Sequence, residues 1–291
     1  MHQVLYDNEL VTAVVTVSAF AYGTARQSAE ISIEEFARGV QQMSQERLEE
    51  ALDTLDRARL LRRRSADRVS LNATGKIAYE EDCVPELVFG DTFVIEKHGS
   101  AVLHVIVRTP QGDEHGATGF FIAEPLRGIA TAKHVLEGHQ LLRVETRNRV
   151  AVCGPDADVV FGPDGVDLAV ISTEIPHGAL PLRVELRDRG AIDLEPVLVL
   201  GYPPIAGHEP TLIPVNAQAT AGVPVFGGGR HSLVLQRMTT PGFSGAPVLD
   251  RRARVLGVVR EEGGLDRGHG AAVFVFGTPA NYLRDVPNRN H

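Results

Sequence analysis

The stretch PGFSGAPVLD, residues 241–250, decides how the rest of the sequence is interpreted. It enters a turn through Pro-Gly, places Ser244 between glycines one and two residues away, and continues into an apolar run. Glycine adopts the backbone conformations that tight turns require. The pattern therefore predicts a turn that exposes a hydroxyl nucleophile beside main-chain N–H groups, although Gly-x-Ser-Gly also occurs in ordinary turns.

Two earlier stretches supply the partners that such a nucleophile needs. ATGFFIAEPLRGIATAKHVLEG, residues 117–138, places His134 just after an apolar hairpin, and GVDLAVIS, residues 165–172, begins an apolar strand with Asp167. A nucleophilic serine requires a base to take its proton, and the base requires a carboxylate that fixes its tautomer. The sequence therefore predicts His134, Asp167 and Ser244 as a catalytic triad.

Other histidines and aspartates are alternatives for the base and the carboxylate. His134 is preferred because an apolar strand precedes it and a short helical turn follows it, and Asp167 because a buried strand would strengthen its hydrogen bond to imidazole. The loop before Asp167 lacks the ligand spacing of a calcium loop, and we expect neither a metal nor a cofactor. The competing residues are His98, His104, His115 and His139, and Asp156, Asp158 and Asp164.

The three contexts TAKHV, VDLAV and GFSGAPV, in this order, resemble the chymotrypsin-like (trypsin-like) serine proteases, including the compact bacterial HtrA-type enzymes. The resemblance extends from near Phe93 to near Val286. It implies an all-β domain of two six-stranded barrels and a serine endopeptidase that acts on a protein substrate. It also implies an oxyanion hole formed by the main-chain N–H groups of Gly242 and Ser244.

The resemblance assigns a substrate pocket by position. Met238 takes the place on the pocket floor where basic-specific relatives carry a carboxylate, so we expect small or medium apolar side chains before the scissile bond. Arg260 and Glu261 would lie on the strand that holds the substrate backbone, and Ala271 and Ala272 would border the pocket.

Phe243 is a departure from the digestive proteases, which carry an aspartate just before the serine that pairs with a newly cleaved N-terminus. No such ion pair can form with phenylalanine, so activation by a freed N-terminus is not expected. The sequence does not show what holds the oxyanion hole in its place.

The first part of the chain is predicted to contain helices followed by a hairpin. An apolar stripe from Leu5 to Phe20 predicts a helix that ends at Tyr22-Gly23, and Ser32 with Glu35 forms a capping box. Another helix spans residues 48–61, a basic strand-turn-strand covers residues 62–75, and a last helical turn follows over residues 76–82. This order resembles a winged helix-turn-helix domain in topology.

Acidic side chains argue against DNA binding by this domain. The helix in the recognition position, SQERLEEALDTLDRARL, carries glutamates and aspartates that would repel phosphates. Arginines 62, 63, 64 and 68 on the wing could still touch a nucleic-acid backbone. We favour a protein-interaction role, with DNA binding and a purely structural appendage as less favoured alternatives.

Together these features predict an α+β protein of two domains. A winged-helix-like α/β domain (residues 1–85) and a linker (86–92) precede an all-β double-barrel chymotrypsin-like protease domain (93–291). The net charge of −8 argues against non-specific nucleic-acid binding, and two isolated cysteines argue against a disulfide framework. We find no signal peptide or membrane span and expect a cytoplasmic protein.

The sequence is compatible with two functions. The first is an active serine endopeptidase whose front domain recruits a partner or substrate. The alternative is a regulatory DNA- or protein-binding protein that uses an inactive protease-like barrel as a binding surface.

Overall fold

The computed structural model describes residues 7–25, 30–186, 194–224, 230–236, 242–264 and 273–288. The chain divides into two compact units, Met1–Phe93 and Val94–His291. The first unit has a helical core of its own, and the core residues of the second unit come mainly from two β-sheets. The predicted α+β class is confirmed.

Helix α1 (Asn8–Ala25) buries Val14, Val17 and Ala21 on one face. The sequence predicts an end at Gly23, but the helix continues two residues further. A glycine inside a helix costs about 1 kcal/mol relative to alanine without a steric clash, so it does not force an end. Leu5, the first residue of the predicted stripe, lies outside the described residues.

The predicted capping box opens the second helix. The Ser32 N–H donates to Glu35 Oε2 (2.7 Å), and the Glu35 N–H donates to Ser32 Oγ (3.1 Å). The third helix begins after Ser44, which accepts from the Arg47 N–H without completing a box. These elements are β1 (Ile31–Ser32), α2 (Ile33–Gly39) and α3 (Gln45–Arg57).

A short antiparallel sheet follows, made of β2 (Leu61–Ser65) and β3 (Arg68–Leu71) with β1 on the other side of β3. Helix α4 (Ala73–Glu80) begins three residues before the predicted helical turn. The earlier start has a local cause, because the Asn72 side chain accepts a hydrogen bond from the Gly75 N–H (2.7 Å) and so caps the helix.

The predicted linker, residues 86–92, lies within helix α5 (Val84–His98). Pro85 does not prevent this helix, because proline is tolerated in the first turn, where its missing N–H has no intrahelical acceptor. Gly90 interrupts this helix at one point, since it has φ 70° and ψ −156°.

The second unit begins with a seven-stranded sheet in the order β8-β7-β4-β5-β6-β10-β9. No pairing among the described residues closes this sheet, so the expected first barrel is a half-barrel. Its end strands have only three residues each and offer few ladder hydrogen bonds. The strands are β4 (Val102–Arg108), β5 (Glu114–Ile122), β6 (Gly128–Thr131), β7 (Gln140–Glu145), β8 (Ala151–Cys153), β9 (Val159–Phe161) and β10 (Ala169–Ile171).

The second sheet closes into a barrel. Its order is β11-β16-β15-β12-β13-β14-β17, and an additional pairing of β16 with β17 joins six of these strands into a ring. Closure leaves no open edge within that ring. The strands are β11 (Arg183–Val184), β12 (Glu195–Gly201), β13 (Ile213–Pro224), β14 (His231–Gln236), β15 (Pro247–Leu249), β16 (Arg254–Gly264) and β17 (Val273–Pro279), and a 3₁₀ helix (Ala280–Asp285) follows.

No helix in the described part of the chain is both long and apolar enough to span a bilayer.

Candidate active site

Strand pairing brings His134 and Asp167 to the same end of the first sheet. Thr131 at the end of β6 pairs with Ala169 at the start of β10, and the two strands are antiparallel. His134 lies three residues after Thr131 in helix α6 (Lys133–Leu136), and Asp167 lies two residues before Ala169. The two side chains therefore meet beyond one pair of strand ends.

Asp167 holds His134 through two hydrogen bonds. His134 Nδ1–H donates to Asp167 Oδ2 (2.8 Å), and the His134 main-chain N–H donates to Asp167 Oδ1 (2.9 Å). The imidazole is 45% exposed, whereas the carboxylate is 16% exposed. A partly buried carboxylate that fixes Nδ1 leaves Nε2 of the accessible ring as the proton acceptor, as a general base requires.

The charge state of Asp167 follows from opposing effects. Burial alone would raise its pKa, but the hydrogen bonds and charge of His134, together with the charge of Arg260, outweigh burial and lower the pKa below its ordinary value of 3.8. Asp167 is therefore ionised at neutral pH, which stabilises an imidazolium as it forms.

The turn that carries Ser244 is fixed by hydrogen bonds on both sides. The Ala246 N–H donates to Phe243 O (2.8 Å) within the turn, and the Gly245 N–H donates to Val259 O (2.8 Å) in β16. Gly245 has φ 83°, and a Cβ there would overlap the Thr118 carbonyl oxygen and the Thr131 hydroxyl. Glycine is therefore required at Gly245 by both conformation and space.

Thr118 of β5 connects this turn to the first sheet. Its N–H donates to Ser244 O (2.9 Å), and its hydroxyl donates to Gly242 O (3.1 Å) while accepting from the Tyr202 N–H (2.9 Å). Its own carbonyl accepts from the Thr131 hydroxyl (2.7 Å). Sequence analysis did not single out Thr118; the available signal was a small hydroxyl residue inside the otherwise apolar strand ATGFFI.

The predicted oxyanion donors lie in this tethered turn. Gly242 has φ 93°, and a Cβ there would meet Pro203 Cα at 2.8 Å. Within the described residues, the main-chain N–H groups of Gly242 and Ser244 donate to no acceptor, so both are available to a substrate oxygen. Both residues therefore satisfy one requirement for the predicted oxyanion hole.

Phe243 stands where the digestive proteases carry an aspartate, and its side chain packs into the core. Its side chain is 2% exposed, and a Cβ on Gly201 would lie 2.5 Å from the Phe243 ring. Apolar packing of Phe243 against β12 and the hydrogen bonds of Thr118 thus hold the turn where the digestive enzymes use an ion pair.

Ser244 Oγ donates to the carbonyl oxygen of Arg260 (3.2 Å), and among the described residues no hydrogen bond joins it to His134. Arg260 lies at an irregularity of β16, because Val259 pairs with Gly277 and Glu261 with Phe276, so that the register shifts at Arg260. Such bulges re-aim backbone groups next to active sites. Here the bulge presents a carbonyl to the nucleophile.

The predicted specificity pocket is only partly described. Met238, Ala271 and Ala272 lie outside the described residues, as does the side chain of Glu261. The structure thus brings only Arg260 of these five residues against the serine turn.

Two of the alternative histidines contact other residues. His139 Nδ1 lies 3.1 Å from Val135 O of the preceding helix α6, and His104 is buried in β4 against Tyr202. Within the described residues, no group of three or more His, Cys, Asp or Glu could hold a metal ion, and Cys83 and Cys153 form no disulfide there. Burial raises the pKa of Cys153 to about 11, which makes it an unreactive thiol.

A family comparison identifies the central part of the second unit. Residues 117–258 match the trypsin-like peptidase domain. This segment contains His134, Asp167 and Ser244, and the expected trypsin-like peptidase domain is supported over residues 117–258. The fold is accordingly chymotrypsin-like, with a β-barrel and a half-barrel behind a front region of helices and strands.

Solved structures and a curated relative show similarity to parts of the chain. The HtrA-type protease AlgW with a tripeptide aligns over 66% of this chain and 61% of its own, with 18% identity and a TM-score of 0.52. The active form of the Rv3671c protease from M. tuberculosis aligns over 66% and 81%, with 24% identity and a TM-score of 0.49. The uncharacterized protein y4bJ of Sinorhizobium fredii is 32% identical over 161 residues, and the match spans 52% of this chain but only 23% of that relative.

Proposed function

We propose that this protein is a serine endopeptidase in which Ser244 is the nucleophile, His134 the general base and Asp167 the residue that orients the base. The observation that carries the proposal is the pair of hydrogen bonds from His134 to the partly buried Asp167 carboxylate, at 2.8 and 2.9 Å. A histidine held this way is poised to accept a proton at Nε2. The match of residues 117–258 to the trypsin-like peptidase domain supports the same conclusion.

In the proposed reaction, Ser244 Oγ attacks the scissile carbonyl while His134 takes its proton. The N–H groups of Gly242 and Ser244 stabilise the oxyanion, each donor being worth roughly a hundred- to a thousandfold in rate. His134 then returns the proton to the leaving amine, the C–N bond breaks, and water hydrolyses the acyl-enzyme by the same steps in reverse.

The hydrogen bond from Ser244 Oγ to Arg260 O is the observation that favours the alternative function, a protease-like protein that is inactive. A serine whose hydroxyl never turns to His134 would make the protein an inactive, protease-like binding module. In an active enzyme the substrate's N–H would take the Arg260 carbonyl as its acceptor and release the Ser244 hydroxyl to His134. The peptidase reading is preferred because it accounts for the oriented His134 and the available oxyanion donors.

A serine-directed phosphonate separates the two functions. The wild-type protein should be labelled covalently at one site, and Ser244→Ala should remove the label completely. His134→Ala should slow labelling strongly while leaving the fold intact, which circular dichroism would verify. A wild-type protein that is folded but never labelled, with or without peptide substrates, would instead favour the binding module.

We also propose the preference that the sequence predicts for the substrate residue before the scissile bond. By the resemblance, Met238 would lie on the pocket floor and Ala271 and Ala272 would border the pocket, an arrangement that favours small or medium apolar side chains. Peptides that differ only at this position would test it, and a preference for arginine or lysine would contradict it.

For the front unit we propose a winged-helix-like domain that recruits a protein partner or substrate. Arg63 of the wing is paired with Glu49 and Asp53 of α3, both at 2.7 Å, so this arginine's charge is neutralised within the domain. Phosphate binding depends on uncompensated positive charge. A duplex DNA titration at low and moderate salt should therefore show no saturable binding, and tight, salt-sensitive binding would favour the DNA-binding alternative.

A cytoplasmic location is likewise proposed on sequence grounds. Thiols at Cys83 and Cys153 that form no disulfide within the described residues suit a reducing compartment. Fractionation of cells that express the tagged protein would test this.

A further inference from the structure

The front unit contains a cavity of about 850 Å³ that no step of the proposed reaction uses. Its lining comes from the first half of α1, between Asn8 and Thr16, from residues 39–44 at the end of α2 and in the turn before α3, and from Arg47 of α3. This volume lies at the upper end of the range for ligand pockets, which is enough space for several residues of a peptide.

Part of the cavity lining is apolar. Ala13 of α1 and Val40 after α2 are 2% and 6% exposed, and Met43 is partly buried against the same core. Lysine and arginine side chains lay their aliphatic stems along apolar surface of this kind while their charged ends stay in water. The cavity can therefore accept a long basic side chain as well as a neutral one.

The charged groups at the cavity carry an excess of negative charge. Arg47 contacts Asp7 (2.7 Å), Glu50 (2.7 Å) and Glu9 (3.1 Å). One guanidinium beside three carboxylates leaves a formal charge of −2, so Arg47 has no uncompensated charge to offer an anion. The side chains of Asp7 and Glu50 are each 46% exposed and that of Glu9 is 83% exposed, which lets a further cation reach them.

The whole front unit has the same sign of charge. Residues 1–93 contain 16 acidic and 10 basic side chains, so this unit holds −6 of the net charge of −8 of the chain. A field of this sign attracts basic segments of other molecules and repels phosphates. The charge of the unit therefore favours the same class of ligand as the charge at the cavity.

Three primary amides at the cavity are available to a ligand. Asn8, Gln41 and Gln42 line it and are exposed, and their side-chain amides form no hydrogen bond in the described part of the chain. A primary amide both donates and accepts, so it can pair with the C=O and N–H groups of an extended peptide. A polyamine has no carbonyl group, and these amides therefore favour a peptide over a small cation.

We propose that this cavity is a docking site for a basic, extended segment of another protein. The stems of its lysine or arginine side chains lie on Ala13, Val40 and Met43, and their charges lie beside the three carboxylates that surround Arg47. The inference rests on the proposed recruiting role of the front unit, and it names the chemistry of the segment that this unit recruits.

Fluorescence anisotropy with three labelled peptides of equal length tests the site. The peptides differ only in carrying lysine, glutamine or glutamate at the same alternate positions. Each is titrated with the full-length protein carrying Ser244→Ala, so that no peptide is cleaved and binding is measured independently of peptidase activity.

Three further substitutions are compared in this background. Glu9→Lys and Glu34→Lys are matched, because both glutamates are exposed, lie in the first turn of a helix and give the same change in net charge, but Glu34 does not line the cavity. Gln42→Lys places a positive charge at the cavity without removing a contact of Arg47. Circular dichroism and the thermal midpoint verify that each variant is folded.

The lysine peptide should bind at least about tenfold more tightly than the glutamine peptide, and the glutamate peptide should not bind. Glu9→Lys should weaken binding of the lysine peptide by about fivefold and Gln42→Lys severalfold, whereas Glu34→Lys should change it by about twofold or less. Similar affinity for all three peptides would overturn the site. So would an equal loss in Glu9→Lys and Glu34→Lys, because the peptide would then respond only to the overall charge. Phosphonate labelling of wild-type Ser244 tests the peptidase function separately, so either proposal can fail while the other stands.

Discussion

Replacing Thr118 with valine tests how the serine turn is held. Valine has nearly the same shape as threonine, so the exchange removes the hydroxyl and leaves the packing of β5 in place. Two groups lose their partner: the buried Tyr202 N–H, at 2.9 Å, and the partly buried Gly242 carbonyl, at 3.1 Å. An unsatisfied buried group costs about 1–3 kcal/mol, so about 2–3 kcal/mol for the first group and about 1 kcal/mol for the second give a loss of about 3–4 kcal/mol in unfolding free energy.

Activity should fall further than stability alone accounts for. With Gly242 O untethered, the adjacent oxyanion donor loses its fixed direction, and loss of one such donor lowers kcat by about a hundred- to a thousandfold. Urea unfolding and the rate of phosphonate labelling, measured where both proteins are fully folded, give the two quantities. Thr118→Ser keeps the hydroxyl and should retain most of the labelling rate. Thr118→Val with wild-type stability and labelling would refute the proposed tether.

Three further predictions concern the triad, the turn and a buried ion cluster. Asp167→Asn should slow labelling by about 10⁴-fold. Because the pKa of Asp167 is lowered in the folded protein, the wild type should be more stable than this variant by the full amount above pH 3.8. This difference in unfolding free energy should disappear as the pH falls further, and unfolding measured at a series of pH values would show it. Gly245→Ala should abolish labelling, since its Cβ would overlap Thr118 and Thr131, whereas Gly207→Ala, with a similar φ of 77° but no atom within 4 Å, should cost only the backbone strain of about 1 kcal/mol. Arg254→Met should lower the unfolding free energy by about 3–5 kcal/mol, because the buried carboxylates of Asp250 and Glu185 would both lose the guanidinium that contacts them. The exposed pair of Arg108 and Glu114 serves as control, and Arg108→Met should change the unfolding free energy by about 0–1 kcal/mol.

The three residues of the proposed triad could be singled out from sequence because each lies beside an apolar strand with a recognisable local pattern. The capping box at Ser32 was predictable for the same reason, since its hydrogen bonds span three residues. The ends of helices were less predictable from sequence. Gly23 lies inside α1 and Pro85 lies in the first turn of α5, and neither residue ends its helix.

The contacts that hold the serine turn in place could not be predicted from sequence. The hydrogen bond from Thr118 to Gly242 joins residues 124 apart in the chain, and no local pattern marks such a pair. The bulge at Arg260 likewise depends on the register between β16 and β17. Long-range pairing decides both, so they become visible only in three dimensions.

The hydrogen bonds between Thr118 and the serine turn also have a consequence during synthesis of the protein. During translation, β5, His134 and Asp167 leave the ribosome well before Ser244 does, because the serine turn comes about 110 residues after His134 in the sequence. A nascent chain would carry its base and carboxylate while its nucleophile is still missing or unanchored. Newly made molecules would therefore be harmless to neighbouring polypeptides until the two sheets had docked.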